Sequence, residues 1–199
     1  MKILVAGATG NTGTRLVNEL CERGHQPVAL VRESSDTGKL PDGAEQRQGD
    51  LTDLQDDVTD GCEVVIFAAG SGGHTSAEMT DKVDRDGAID LIDKAEKNGV
   101  RRFVMLSSVG ADDPDPESDL ANYLKAKHAA DERLKSSTLE YAILRPVALN
   151  DDGPTGSVIL GDAVDPGGKA ARGDVAVLLA DAAEEDDWKG AIKLMETAY

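Results

Sequence analysis

Residues 3–13 read Ile-Leu-Val-Ala-Gly-Ala-Thr-Gly-Asn-Thr-Gly, and this stretch decides the fold of the chain. Its first four residues form an apolar run of the length that is typical of a buried parallel strand. Leu16, Val17 and Leu20 then repeat at helical spacing, so a helix is expected directly after the glycines. Strand, glycine-rich turn and helix therefore arrive in the order that begins a β-α-β unit.

The spacing of the three glycines predicts what this turn holds. Gly7 permits a tight turn, Gly10 lets the backbone approach a pyrophosphate, and Gly13 lets the helix pack closely on the strand. The backbone N–H groups near Asn11 and Thr12 would then face the anion. We therefore expect residues 7–13 to bind a dinucleotide.

Strands and helices alternate along the rest of the chain. This alternation predicts an α/β fold with a Rossmann-type doubly wound parallel sheet in the order 3-2-1-4-5-6. We expect a single NAD(P)-binding domain over residues 1–199, in which 147–172, rich in Gly, Asp and Pro, is a substrate-side loop region. The patterns predict further strands at 27–31, 45–49, 64–69, 102–106 and 141–144, a candidate seventh at 191–195, and helices at 51–58, 77–98, 120–134 and 175–183.

The charge balance restricts the partners. The chain has 38 acidic and 21 basic residues, a formal net charge of −17 and a pI near 4.4. Nucleic acid and anionic membranes would be repelled, so we expect a small-molecule partner. The sequence does not decide the oligomeric state, and we expect either a monomer or a homodimer. A dispersed acidic surface also favours solubility at high salt, which predicts a halophilic host. Without an apolar segment of about 20 residues or a leader-like start, we expect a cytoplasmic protein.

The ends of the predicted strands suggest the choice of cofactor. Arg32 follows the second strand where an NAD site usually carries an acid, and its guanidinium suits the 2′-phosphate of NADP. Glu33 is adjacent and leaves NAD open. Asp50 could accept a hydrogen bond from the adenine amino group, with the backbone of Leu51 nearby. The small residues Ala68, Ala69 and Gly70 would let the cofactor ribose approach the backbone.

A tyrosine and a lysine provide candidate chemistry. Tyr123 and Lys127 are four residues apart and share one helix face, where an ammonium favours the phenolate and makes tyrosine a useful acid–base group. Ser108, at the end of the preceding strand, could hydrogen-bond a substrate oxygen and Tyr123. The Tyr-x-x-x-Lys spacing also arises by chance, which leaves a purely structural role open. His74 is interpreted as a surface-loop residue, and no group of Cys and His residues has metal-ligand spacing.

Together these motifs resemble the short-chain dehydrogenase/reductase superfamily, in particular its atypical NmrA-like and epimerase/dehydratase-like branch. The resemblance implies that Tyr123 donates or accepts the proton, Lys127 binds the nicotinamide ribose, and Ser108 polarises a carbonyl. It also implies that Thr9 and Ser107 belong to the cofactor site and that the backbone around Pro146 lines the nicotinamide. The supporting stretches are 7–13, 30–32, 49–51, 67–73, 83–88, 100–108, 123–127 and 144–146.

Three functions fit these observations. The first is an NADP-dependent oxidoreductase that transfers a hydride to a small carbonyl, quinone or flavin-like acceptor. The second is a non-catalytic NADP(H)-binding redox sensor, which would need only the glycine-rich turn and Arg32. The third is an epimerase or dehydratase with permanently bound NAD, although the short segment after the sixth strand argues against a large nucleotide-sugar substrate.

Overall fold

The computed structural model describes residues 1–71 and 75–199. Its strands are β1 (Lys2–Ala6), β2 (Gln26–Val31), β3 (Glu45–Gln48), β4 (Val64–Phe67), β5 (Arg102–Leu106), β6 (Glu140–Pro146), β7 (Ala148–Asn150), β8 (Val158–Leu160), β9 (Lys169–Ala171) and β10 (Ala191–Thr197). Eight of them form the main sheet, in the order β3-β2-β1-β4-β5-β6-β10-β8. The first seven strands in this order pair in parallel, and β8 pairs antiparallel with β10. The predicted order 3-2-1-4-5-6 is confirmed, and the candidate seventh strand is β10.

Helices cover both faces of the sheet, because successive side chains of a strand point to opposite sides. These helices are α1 (Asn11–Glu22), α2 (Ala77–Thr80), α3 (Ala88–Lys97), α4 (Ala121–Lys135) and α5 (Arg172–Glu184). Ile3 and Val5 of β1 belong to the apolar cluster that includes α1 and α5, whereas Leu4 and Ala6 belong to the cluster that includes α3 and α4. The doubly wound arrangement therefore follows from strands that are apolar on both faces.

Two helix predictions need correction. The helix expected at 51–58 is wrong, because turns replace it: the Asp50 carboxylate accepts hydrogen bonds from the backbone N–H and hydroxyl of Thr52. Such local bonds compete with helix formation. The helix expected at 77–98 is interrupted by a π-helical turn, Asp81–Gly87, between α2 and α3.

The segment 147–172, expected to be a loop, contains β7, β8 and β9. β7 and β9 pair in parallel as a small second sheet. The connection between β7 and β8 is held by Asp174, at the start of α5. Its carboxylate accepts hydrogen bonds from the N–H groups of Thr155 and Gly156. Among the described residues, no helix combines the length and apolar character needed to cross a membrane.

Candidate functional site

A cavity of about 1020 Å³ lies where β1, β2, β4 and β5 end, at the carboxyl edge of the sheet. This is the edge where open α/β sheets bind their ligands, and the volume is at the upper end of small-molecule sites. Most residues that the sequence nominated for the site line this cavity: Gly7, Thr9, Gly10, Asn11, Thr12, Arg32, Asp50, Leu51, Ala68, Ala69, Gly70, Ser107, Tyr123 and Lys127.

The three glycines of the first turn have different physical reasons to be glycine. Gly7 has a φ of +81°, and a Cβ there would lie 2.6 Å from Ala69 Cα. A Cβ on Gly13 would lie 2.0 Å from the carbonyl oxygen of Gly7, so α1 could not pack this closely on β1. Among the described residues, a Cβ on Gly10 would meet only that same oxygen, at 3.3 Å. Gly7 and Gly13 are therefore required by protein packing, whereas Gly10 has no other described neighbour on that side.

The start of α1 is suited to an anion. Gly10 is the N-cap residue, no described side chain caps the helix, and its first turn contains no acidic residue. The first N–H groups of an α-helix have no partner within the helix, and the helix dipole is positive at this end. Asn11 and Thr12 of this turn line the cavity. A phosphate placed here would satisfy these N–H groups.

Arg32 and Asp50 lie at the ends of the next two strands. The Arg32 side chain is exposed and makes no ion pair with the described residues, so its guanidinium is available to a ligand. The backbone N–H and hydroxyl of Thr52 donate hydrogen bonds to Asp50 Oδ1 and lower the pKa of the Asp50 carboxyl, and the charge of Arg32 adds to this effect. Asp50 is therefore a carboxylate at neutral pH, with its second oxygen left as an acceptor.

Tyr123 and Lys127 face the same cavity from α4. The Lys127 ammonium lies 5.6 Å from the centre of the Tyr123 ring and 5.4 Å from that of Phe67. Burial opposes the charge of Lys127, but Tyr123 and nearby carboxylates, Asp84 first among them, raise its pKa. The hydroxyl of Tyr123 makes no hydrogen bond to any described residue, so it can meet a ligand beside a fixed positive charge.

The surroundings of Lys127 include a carboxylate that the sequence analysis did not single out. Asp84 Oδ1 lies 3.2 Å from Lys127 Nζ, and Asp84 Oδ2 accepts a hydrogen bond from the N–H of Ser71. Lys127 Nζ also donates to the carbonyl oxygens of Ala69 and Leu106, at 3.4 and 3.3 Å. The sequence did contain a signal for Asp84: it lies at helical spacing from the apolar residues of the predicted helix 77–98. An acidic residue on a buried helix face is expected to have a charged partner.

The two serines after β5 have different environments. Ser107 lines the cavity, and its hydroxyl donates to Asp131 Oδ2 at 2.8 Å. Ser108, predicted to face the substrate, is not among the residues lining the cavity, and its hydroxyl donates to the carbonyl oxygen of Val109 at 3.3 Å. Burial raises the pKa of Asp131, while Ser107 and Arg145 oppose that shift. The serine at the cavity wall is therefore Ser107.

Two further nominated residues lie outside the cavity lining. Gly13 supports the glycine-rich turn from within α1. Pro146 is the last residue of β6 and pairs with Met195 of β10. Its carbonyl oxygen accepts a hydrogen bond from the N–H of Val109, so its backbone connects β6 to the segment that follows Ser107 and Ser108. His74 lies outside the described residues.

Comparison with known proteins gives consistent matches. The model of a family described as NAD(P)H-binding matches residues 7–186. A Bacillus subtilis protein named as an uncharacterised sugar epimerase, YhfK, is 37% identical over 164 residues, which cover 79% of this chain and 77% of that protein.

Solved structures extend the similarity to the whole chain. A Bacillus halodurans protein, provisionally named an NAD-dependent epimerase/dehydratase, is 36% identical with a TM-score of 0.93, covering 100% of this chain and 94% of that one. The oxidoreductase ylbE of Lactococcus lactis is 28% identical with a TM-score of 0.87, covering 100% and 91%.

Proposed function

The chain belongs to the NAD(P)H-binding family, within the atypical short-chain dehydrogenases/reductases, and we propose that it is an NADP-dependent oxidoreductase acting on a small carbonyl, quinone or flavin-like acceptor. One observation carries the proposal: Tyr123 and Lys127 line the same cavity as the glycine-rich turn and Arg32. The candidate acid–base pair and the candidate dinucleotide-binding residues thus line one cavity.

The residues present fit a nicotinamide dinucleotide. Within the part of the chain that the structure describes, the start of α1 has no side-chain cap, and nothing but the Gly7 carbonyl oxygen lies within 4 Å of a Cβ on Gly10, which leaves room for a pyrophosphate. Arg32 has a guanidinium available for a 2′-phosphate, and Asp50 has a carboxylate oxygen available for the adenine amino group. A bound, reduced nicotinamide would supply a hydride.

Tyr123 is the group that we propose to move the proton. As the carbon of an acceptor carbonyl gains the hydride, the Tyr123 hydroxyl donates its proton to the carbonyl oxygen, which gives an alcohol and the phenolate. The Lys127 ammonium, held near the ring, stabilises that phenolate until water returns the proton. The Ser107 hydroxyl donates its hydrogen bond to Asp131, so its oxygen can accept a hydrogen bond from a ligand hydroxyl.

The rim of the cavity suggests an apolar part in the acceptor. Met79 of α2 and Leu120, just before α4, are exposed and line the cavity together with Val83 and Leu149. Exposed apolar side chains at a concave site favour an apolar ligand. We therefore expect carbonyl compounds or quinones with an apolar body to be better acceptors than charged sugars.

The decisive experiment measures oxidation of NADPH and NADH with a panel of carbonyl, quinone and flavin acceptors. Tyr123→Phe should lower kcat on the best acceptor by about 100-fold or more, the usual effect of removing a general acid. The matched control is Tyr141→Phe, since Tyr141 lies on β6 outside the cavity lining. Equal turnover in wild type and Tyr123→Phe would exclude the acid–base role.

A redox sensor is the second candidate, and the environment of Lys127 favours it. Its ammonium is 3.2 Å from Asp84 Oδ1 and already donates hydrogen bonds to the carbonyl oxygens of Ala69 and Leu106, so at most one N–H remains for a ribose hydroxyl. A sensor would bind NADPH without oxidising it in the presence of any acceptor. An epimerase or dehydratase would instead retain NAD through purification, which analysis of the released nucleotide detects.

A further inference from the structure

The cavity contains a cationic residue that neither the sequence motifs nor the proposed chemistry uses. Among the described lining residues, Arg32, Lys127 and Arg172 are the cations. Arg32 is assigned to a 2′-phosphate, and Lys127 is buried against Asp84. Arg172, the first residue of α5, has no role in either arrangement.

The backbone of Arg172 is held rigidly. On one side, Ala171 is the last residue of β9 and pairs with Asn150 of β7. On the other side, the N–H of Gly173 donates to the carbonyl oxygen of Asp152, and a Cβ on Gly173 would lie 2.1 Å from the nitrogen of Pro154. The guanidinium therefore reaches the cavity from a fixed base.

A short chain of contacts connects Arg172 to the start of α1. Arg172 Nη1 lies 3.0 Å from Asp151 Oδ1, and the carbonyl oxygen of Asp151 accepts a hydrogen bond from Arg15 Nη2 at 2.8 Å. Arg15 Nη1 in turn donates to the carbonyl oxygen of Asn11 at 2.6 Å. Arg172 is thus separated from the first turn of α1 by one aspartate and one arginine.

We propose that Arg172 binds the pyrophosphate of the dinucleotide and exchanges its ion pair with Asp151 for that contact. Arginine pairs with phosphate through two parallel hydrogen bonds, which a single Arg172–Asp151 contact does not provide. Asp151 is a weak competitor because its side chain is 67% exposed, whereas that of Arg172 is 22% exposed. In a chain of net charge −17, a cation beside the anion site also offsets the repulsion of a polyanionic cofactor.

This inference rests on dinucleotide binding in the cavity but not on catalysis, so binding measurements test it. The dissociation constants of NADP⁺ and of adenosine 2′-phosphate, which lacks the pyrophosphate, are measured by titration calorimetry. Arg172→Gln should weaken NADP⁺ binding about tenfold and leave adenosine 2′-phosphate unchanged. Arg32→Glu should weaken both ligands, and Arg101→Gln, which removes an arginine paired with Glu140 away from the cavity, should change neither.

Removal of the competing carboxylate gives an independent test with the opposite sign. Asp151→Asn should strengthen NADP⁺ binding severalfold, because Arg172 and the more distant Arg15, 3.0 and 4.0 Å from Asp151 Oδ1, lose this carboxylate, and the gain should be lost when Arg172→Gln is added. Asp152→Asn changes the net charge equally and should have a smaller effect. Unchanged NADP⁺ binding in a folded Arg172→Gln, or equal effects of the two aspartate variants, would overturn the assignment of Arg172. If wild type binds NADP⁺ and Arg172→Gln weakens it, but no acceptor is reduced, only the proposed enzyme activity fails.

Discussion

Asp84 and Lys127 form an ion pair in which both side chains are almost fully buried, 0% and 2% exposed, with Asp84 Oδ1 3.2 Å from Lys127 Nζ. Asp84 lies on the π-helical turn Asp81–Gly87, and π-helical turns within helices are frequent at functional sites. The turn passes close to residue 51, because a Cβ on Gly87 would lie 2.6 Å from the carbonyl oxygen of Leu51. The π-helical turn thus places the Asp84 carboxylate beside the Lys127 ammonium, which neighbours Tyr123.

Removal of one member of this pair should strongly destabilise the fold. Asp84→Ala leaves the Lys127 ammonium buried without its counter-ion, which typically lowers the free energy of unfolding by about 3–5 kcal/mol. Urea unfolding followed by circular dichroism measures the change. Glu78→Ala is the control, because the Glu78–Lys82 pair is exposed and such pairs contribute about 1 kcal/mol or less. If Asp84→Ala and Glu78→Ala lower the free energy of unfolding by similar amounts, the buried pair does not stabilise the fold more than an exposed one.

The glycine-rich turn allows stability and ligand binding to be separated. Gly13→Ala places a methyl group 2.0 Å from the Gly7 carbonyl oxygen, so we expect the free energy of unfolding to fall by about 3 kcal/mol or more. Gly10→Ala meets that oxygen at 3.3 Å, so its stability should change by about 1 kcal/mol or less. The methyl group would nevertheless occupy space proposed for the pyrophosphate. Gly10→Ala should therefore bind NADP⁺ more weakly while unfolding near the wild-type urea concentration, and unchanged binding would argue against a pyrophosphate at this position.

Glu96 should make stability depend on acid pH. Hydrogen bonds from Arg133, and then from the backbone and hydroxyl of Thr138, lower the pKa of Glu96 to about 2, from an ordinary value of 4.5. Because the folded state lowers this pKa, the stabilisation is complete above the unfolded value and is lost as the pH falls from 4.5 towards 2. The stability difference between wild type and Glu96→Gln should narrow over this range.

Urea titrations of both proteins across that pH range measure the effect of Glu96. Glu22→Gln is the control, since Glu22 is exposed and makes no ion pair with the described residues. The difference in the free energy of unfolding between wild type and Glu22→Gln should stay constant with pH. A Glu96→Gln difference that stays equally constant would contradict the lowered pKa.

Salt should stabilise the protein if its acidic surface is an adaptation to salt. A net charge of −17 produces self-repulsion in the folded state, and raising the ionic strength from 0.01 to 1 M shortens the screening length from about 30 to about 3 Å. The thermal midpoint in KCl should therefore rise from low to multimolar concentration. A protein that is most stable at low salt would contradict a halophilic origin.

The strand order was predictable because the apolar runs mark the strands, and the glycine-rich turn and the alternation with helices identify a doubly wound sheet. The helix expected at 51–58 shows where such signals fail: Leu54 and Val58 have helical spacing and are buried, yet the Asp50–Thr52 bonds turn the chain. A short spacing pattern does not distinguish a helix from a turn that buries the same two side chains. The π-helical turn was missed for a related reason, because one extra residue in a helix hardly changes its apolar period.

Most of the cavity wall was also predictable, since the carboxyl ends of parallel strands meet at one edge. The choice between Ser107 and Ser108 was not, because it depends on how the chain leaves β5. Arg172 follows a segment in which the sequence pattern is weak, and long-range contacts, the β7–β9 pairing and the Gly173–Asp152 hydrogen bond, place it at the cavity. The role of Asp84 became visible only through its tertiary contact with Lys127. Residues placed by long-range contacts are thus the ones that motifs miss.

Arg32 is expected to decide the choice between NADP and NAD. Its exposed guanidinium, without an ion-pair partner among the described residues, would pair with a 2′-phosphate that NAD lacks. Arg32→Glu should weaken NADPH binding by roughly 100-fold, because it replaces an attraction with a repulsion, while NADH binding changes only a few-fold. Fluorescence titration with both nucleotides measures the ratio, and Glu33→Gln provides a neighbouring control that should alter NADPH binding much less. If Arg32→Glu retains a wild-type preference for NADPH, the 2′-phosphate contact belongs to another residue, and if wild type binds NADH as tightly as NADPH, the assignment of NADP loses its support.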